Sequence, residues 1–137
     1  MKRVVILALL LAIVTVAGGC PPGESPADVA RDFLWAGNEG DYARAKGYLI
    51  PETRMVFEMD PMIRFDNAMD AATREGTITR IEVVEEVVHA DVSATVWLTL
   101  HYADETQESD TLSIVKRDGK WRIMTSTLLM KGAAGLP

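Results

Sequence analysis

From Val92 to Tyr102 apolar and polar side chains alternate without a break, and a β-strand is the element that turns such a run into two distinct faces. Val92, Ala94, Val96, Leu98, Leu100 and Tyr102 point one way, while Ser93, Thr95, Trp97, Thr99 and His101 point the other. A strand of that length with one apolar face needs paired neighbours and a layer that covers it. Thr77 to Val88 supplies one neighbour: it is rich in β-branched residues, with Ile81 and Val83 on one face, and Glu85-Glu86 marks an edge or a bulge. His89-Ala90-Asp91 is the turn between them. On the other side Ala103-Asp104-Glu105 turns the chain into Thr106 to Arg117, where Leu112 and Ile114 point inward. Asp118-Gly119 is a two-residue hairpin signal, because both positions tolerate positive φ. Trp121, Ile123 and Thr125 continue a last strand to about Leu129, and residues 130–137 read as a flexible tail.

The covering layer comes from the first half. Ser25-Pro26-Ala27-Asp28 is a helix start: Ser25 caps, Pro26 suits the first helical position and Asp28 favours the positive end. Val29, Ala30, Phe33 and Leu34 then share one face, with Gly37 a turn further, and Asn38-Glu39-Gly40 ends the helix. Asp41 caps a second short helix that aligns Tyr42, Ala45, Tyr48 and Leu49 and stops at Pro51. Glu52 to Met59 fits either a helical turn or a short strand. Asp60-Pro61 restarts a helix carrying Met62, Ile63, Phe65, Met69 and Ala72 as far as Gly76. Helices followed by an antiparallel meander predict an α+β fold, with the helices laid across a curved sheet of about four strands.

Gly40-Asp41-Tyr42 after a first amphipathic helix, Ala43 to Leu49 as the second, and Asp118-Gly119-Lys120-Trp121-Arg122-Ile123 near the end resemble the nuclear transport factor 2-like superfamily. The nearest subset is its small bacterial lipoproteins of uncharacterised function. The resemblance spans Ser25 to Leu129 and implies a cone-shaped (cystatin-like) α+β domain over 25–129. That superfamily holds isomerases, dehydratases and many non-enzymatic binding modules, so membership alone assigns no activity.

The N-terminus carries a second resemblance. Lys2 and Arg3 precede a run from Val4 to Ala17 in which Thr15 is the only polar side chain, and Gly18, Gly19 and Cys20 follow. A basic start, a short apolar stretch and small residues before a cut make an export signal, and the stretch is shorter than the roughly 20 apolar residues of a comfortable membrane span. Val16-Ala17-Gly18-Gly19-Cys20 resembles the lipobox of bacterial lipoprotein signals, with Ala17 where leucine is usual. That resemblance implies a signal peptide over 1–19, cleavage before Cys20, a thioether-linked diacylglycerol on its sulfur, and a further acyl chain such as palmitate on the new amino group. An uncleaved anchor is the other reading, and in both the rest of the chain hangs from a membrane. Residues 20–24, with Pro21, Pro22 and Gly23, make a short tether. The expected location is the bacterial cell membrane or outer membrane.

Without residues 1–19, 118 residues remain, enough for one compact domain. The leader takes Lys2 and Arg3 with it, so 12 basic side chains face 20 acidic ones, a net charge of −8. That surplus argues against nucleic acid, or an anionic bilayer face, as a partner. Acylation of Cys20 leaves no thiol for a disulfide, a thiolate metal site or a nucleophile.

Several residues invite chemistry. In the ketosteroid-isomerase-like members of the superfamily a first-helix tyrosine donates a hydrogen bond and a carboxylate after the second helix abstracts a proton. Aligned on Gly40-Asp41, the tyrosine position falls on Phe33 and the carboxylate at or beside Phe57, with Glu58 one residue on. Phenylalanine cannot stabilise an oxyanion, which removes the largest catalytic contribution. His89 falls in a turn and His101 on a polar strand face, as surface histidines commonly do. Tyr42 and Tyr48 pack against the sheet with their hydroxyls at its rim. Met55, Met59 and Met62 have thioethers suited to Cu(I), but helical spacing makes them core or pocket wall rather than a metal site. Asp104, Glu105, Glu108 and Asp110 lack the glycine and spacing of a calcium loop and read as a solvated charged edge.

The expectation is a lipid-anchored envelope protein with a non-enzymatic binding domain for a small apolar ligand or an envelope protein, without cofactor or metal. Trp35, Tyr48, Met55, Met59, Phe65, Trp97 and His101 are the expected lining of its pocket. The competing class is a small-substrate enzyme of the isomerase or dehydratase type, with Glu58 as base and Tyr48 or His101 as donor. Homodimerisation through the open sheet face is a third expectation.

Overall fold

The computed structural model describes residues 24–135; the expected export signal over 1–19, Cys20 and the expected tether as far as Gly23 lie outside them. Four helices come first: α1 (Pro26–Asn38), α2 (Tyr42–Gly47), α3 (Pro51–Met59) and α4 (Phe65–Thr73). The strands β1 (Ile78–His89), β2 (Ser93–Tyr102), β3 (Gln107–Arg117) and β4 (Lys120–Ser126) follow, and helix α5 (Thr127–Ala133) closes the chain. The sheet is an antiparallel meander in the order β1-β2-β3-β4. This is the expected α+β architecture, with helices packed on a four-stranded sheet.

Local chemistry fixes the helices. The Ser25 hydroxyl accepts from the Asp28 amide at 3.1 Å, the Asp28 carboxylate accepts from the Ser25 amide at 3.3 Å, and Pro26 opens α1. At the far end Asn38 mimics a strand: its carbonyl accepts from the Ile78 amide at 2.9 Å and its amide donates to the Ile78 carbonyl at 3.3 Å, so α1 is tied to the start of β1. Gly37 lets α1 and α4 touch, since a Cβ there would fall 1.8 Å from the Met69 terminal methyl. The stretch after Pro51 is a helix, Pro51 serving at its first turn. Helix α4 starts at Phe65 rather than at Pro61. The Asp60 carboxylate accepts from the Met62 amide at 2.9 Å and the Asp60 carbonyl from the Ile63 amide at 3.0 Å, a turn that competes with helix and leaves Met62 exposed.

The β2 alternation holds from Ala94 to Tyr102, whose inward residues are at most 3% exposed, whereas Val92 belongs to the preceding turn and is exposed. β1 pairs only with β2 and shifts register between Val83 and Glu85, a bulge on an edge strand. The far edge, β4, is covered: the Ile50 amide donates to the Ile123 carbonyl at 2.9 Å and the Ile123 amide to the Tyr48 carbonyl at 2.7 Å. Asp118 (φ 52°) and Gly119 (φ 75°) make the tight β3–β4 turn.

The C-terminus departs from expectation. β4 stops at Ser126, whose hydroxyl accepts from the Leu129 amide at 3.2 Å and caps α5. Residues as far as Ala133 are thus helical instead of a tail beginning at 130, and α5 buries Leu128 and Leu129. Gly132 allows the close contact with α4, because a Cβ there would lie 2.6 Å from the Ala68 carbonyl oxygen. Between helices and sheet Phe33, Leu34, Met69, Leu98, Leu112, Ile114 and Leu129 interdigitate, each no more than 1% exposed.

Candidate functional site

The space between helices and sheet is where a cone-shaped domain would hold a ligand, and here side chains fill it. Phe33, the residue expected at the isomerases' tyrosine position, is fully buried among apolar neighbours. One carboxylate does enter this space. Asp110 of β3 is 1% exposed, accepting from the Ser126 hydroxyl at 2.8 Å and from the Leu128 amide at 3.1 Å. Burial pushes its pKa up to about 6, against these hydrogen bonds, which pull it down. Both oxygens are occupied by the first turn of α5, so the group acts as a fastening for that helix. Grouping Asp110 with a solvated edge is therefore corrected. Its place in the series 110, 112, 114 puts it on the inward face with Leu112 and Ile114, a signal the alternation already carried.

The expected pocket residues do not meet. Trp97 and His101 lie on the outer sheet face, opposite the core side of β2. His101 Nε2 is 3.1 Å from Glu82 Oε1 and 3.1 Å from an Arg80 guanidinium nitrogen, a surface cluster across the β1–β2 pair. Met55 and Met59 are 51% and 74% exposed on the outward side of α3, because Thr53 and Phe57 take the inward side. Methionines at helical spacing are thus surface here, not wall. Trp35 and Tyr48 are half-buried against the core. Glu58 is exposed on α3, and neither Tyr48 nor His101 is hydrogen-bonded to it among the described residues. Of the expected lining, Phe65 alone belongs to the groove described next.

That groove, about 410 Å³ and open to solvent, runs between α2, the end of α3 and the start of α4, lined by Tyr42, Lys46, Phe57, Arg64, Phe65 and Asp66. Phe57 and Phe65 pack edge to face, centroids 5.3 Å apart at 82°, and form its apolar floor. Lys46 Nζ stands 5.6 Å from the Phe65 ring centre, one turn of α2 beyond Tyr42. Arg64 pairs with Asp66 at 2.8 Å, and this hydrogen bond holds the Asp66 carboxyl below the usual range. At the rim the Tyr42 hydroxyl donates to Asp70, tying α2 to α4; that bond raises the phenol's pKa and keeps its proton in place. The walls are joined by the segment carrying exposed Met59 and Met62. Both charge signs around an aromatic floor, with flexible thioethers alongside, suit recognition. Sequence reading missed Lys46, Phe57 and Arg64 as site residues, because they come from three separate elements.

Tyr102, whose hydroxyl donates to the Ala72 carbonyl at 2.9 Å, is no acid at neutral pH: burial, then the Glu108 charge, pushes it up to about 12. The acidic edge is neutralised in part, Arg74 lying 3.3 Å and Lys131 3.8 Å from Glu108.

A family model described as "Domain of unknown function (DUF4878)" matches residues 18–124. No curated protein matches the chain. Two solved structures share its fold. One is a Campylobacter jejuni protein, an NTF2-like transpeptidase by name (NTF2, nuclear transport factor 2). It is 21% identical, with a TM-score of 0.61 over 74% of this chain and 99% of that one. The other is a SEC-C motif containing protein from Rhodopseudomonas palustris, 18% identical, with a TM-score of 0.60 over 74% of this chain and 77% of that one. Identities of this size show the fold and nothing of activity.

Proposed function

We propose a function from the premise that this chain belongs to the DUF4878 family, a domain of unknown function with a nuclear transport factor 2-like fold: it is a lipid-anchored envelope protein whose domain binds a polypeptide partner and carries out no chemistry. Cys20 is the acylated residue, held to the bacterial cell membrane or outer membrane. The observation that carries the binding reading is the exposed Met55, Met59 and Met62 patch beside the open groove above the buried Phe57–Phe65 pair. A small-molecule site buries most of its ligand's surface, which an open groove cannot do; a protein segment needs only an apolar anchor and a polar rim. Lys46 and Arg64 select an acidic residue next to that anchor. Phe33 in the tyrosine position, Glu58 at the surface and Asp110 committed to α5 support binding over catalysis.

Photo-crosslinking in the native envelope tests this. A benzoyl-phenylalanine at Met59 is expected to give a discrete cross-linked protein band that fades at least about tenfold when Lys46→Glu and Arg64→Glu are combined, the loss of roughly 1.4 kcal/mol of binding or more. Cross-linking from Thr99 on the outer sheet face but not from Met59 would refute the groove, and turnover of a small substrate abolished by Glu58→Gln would refute the non-enzymatic reading.

A further inference from the structure

The two most exposed large apolar side chains among the described residues are both methionines, Met59 at 74% and Met62 at 88%, with Met55 at 51% one helical turn before Met59. Packing does not account for them. On α3, Thr53 and Phe57 take the inward side, and beyond it the Asp60 carboxylate accepts from the Met62 amide at 2.9 Å, holding Met62 in an exposed turn. Apolar contact area does not call for sulfur either, since Val56 beside them, 46% exposed, supplies such surface without it. What a thioether adds is a soft lone pair that two-electron oxidants attack. Met69 stands in the opposite position, fully buried where α1 and α4 meet at Gly37. An oxidant therefore reaches the recognition surface first and the core last.

Resting on the binding reading advanced above, we infer that Met55, Met59 and Met62 are modification sites that switch that surface: a peroxide converts their thioethers to sulfoxides, and the polypeptide partner is released. In each conversion a sulfur lone pair attacks one peroxide oxygen. The S–O bond forms as the O–O bond breaks, the sulfur gives up two electrons, and the second peroxide oxygen leaves as water with both protons. A flexible apolar side chain becomes a polar one whose oxygen is a hydrogen-bond acceptor. Beneath a partner that oxygen loses its water, and an apolar contact offers no donor in exchange, so the contact turns unfavourable. The fold is indifferent to the change, because the core does not include these three side chains. A methionine sulfoxide reductase returns the thioether, which makes the switch reversible.

The test takes the full protein with benzoyl-phenylalanine at Val56, treats it with hydrogen peroxide and removes the peroxide. It is then irradiated with untreated solubilised envelope proteins from its own cell, so the partner is never oxidised. Peptide mass spectrometry should find sulfoxide forming at least about tenfold faster at Met59 and Met62 than at Met69, which reacts only when the core opens. The cross-linked band should fade several-fold as sulfoxide accumulates and return after treatment with the reductase, while the urea midpoint stays in place. In the Met55→Leu, Met59→Leu, Met62→Leu variant, peroxide should leave the band equal to that variant's own untreated sample; Met124, 39% exposed on β4, remains in it as an oxidisable control. Reductase rescue needs no variant, so the test stands even where leucine weakens the band. A wild-type band that persists with all three sulfoxides formed would overturn the switch. So would peroxide sensitivity retained by the leucine variant, or a urea midpoint that falls in step with the band. Absence of any band from the untreated protein would instead refute the binding reading, and the switch with it.

Discussion

The two sides of helix α4 do opposite things with similar material. Inward, Met69 meets Gly37 and a fully buried layer of Phe33, Leu98 and Leu129, and the one carboxylate that enters, Asp110, is bound on both oxygens. Outward, Phe65 packs edge to face on Phe57, each at most 8% exposed, beneath an open groove rimmed by Lys46, Arg64 and Asp66. Inside, every group is committed to holding the fold; outside, charged side chains and the exposed Met55, Met59 and Met62 remain available. A domain whose interior is spent on packing does its recognition on its exterior.

The sharpest way to break this contrast is from within. Phe33→Ala should cost about 3–5 kcal/mol, lowering the melting temperature by roughly 10–20 °C in a thermal scan; a loss below 1 kcal/mol would mean the interior is not close-packed. Asp110→Ala should cost about 2–4 kcal/mol in urea unfolding, since it strands the Ser126 hydroxyl and the Leu128 amide, while Asp110→Asn, which still accepts from Leu128, should cost less.

Asp110 also gives the interior a pH signature. Its folded pKa, about 6, lies above the ordinary value of 3.8, so between these pH values the folded state holds more protons than the unfolded chain. Stability from this group is therefore fullest below about pH 4 and is lost as pH rises through 6, on the order of 2–3 kcal/mol. Asp28, Glu52, Asp66 and Asp104 are shifted down and act in the opposite sense, losing stability as pH falls below the ordinary carboxylate range. The difference between wild type and Asp110→Asn, measured in urea at pH 4.5 and 7, isolates the Asp110 contribution; parallel pH curves would contradict it.

On the outside, Lys46→Glu with Arg64→Glu should leave stability within about 1 kcal/mol by the same unfolding assay while removing the Met59 cross-link, since surface changes cost little. His101→Ala should be smaller still, within about 0.5 kcal/mol and without effect on that cross-link.

How much was legible follows the same divide. The β2 alternation, the Ser25 cap and the Asp118-Gly119 turn state local rules, and local rules survive folding unchanged. The C-terminal helix escaped notice because Thr127–Ala133 is too short to show a helical period, and its cap depends on Asp110, distant in sequence. Asp110 itself was readable from the alternation of β3, had its charge not argued for the surface. Met55 and Met59 read as wall because spacing tells which residues share a helix face, not which face turns inward; Phe57 and Thr53 decided that. The groove, assembled from α2, α3 and α4, exists only in three dimensions.

The seven methionines provide the most direct test, with Met69 in the interior and Met55, Met59 and Met62 outside. Methyl-labelled methionine in the full protein, followed by NMR while solubilised envelope proteins from its own cell are added, reports both sides at once. The Met59 and Met62 signals are expected to shift or broaden while Met69 stays fixed. A shift confined to Met69 would place the ligand inside the cone and contradict it.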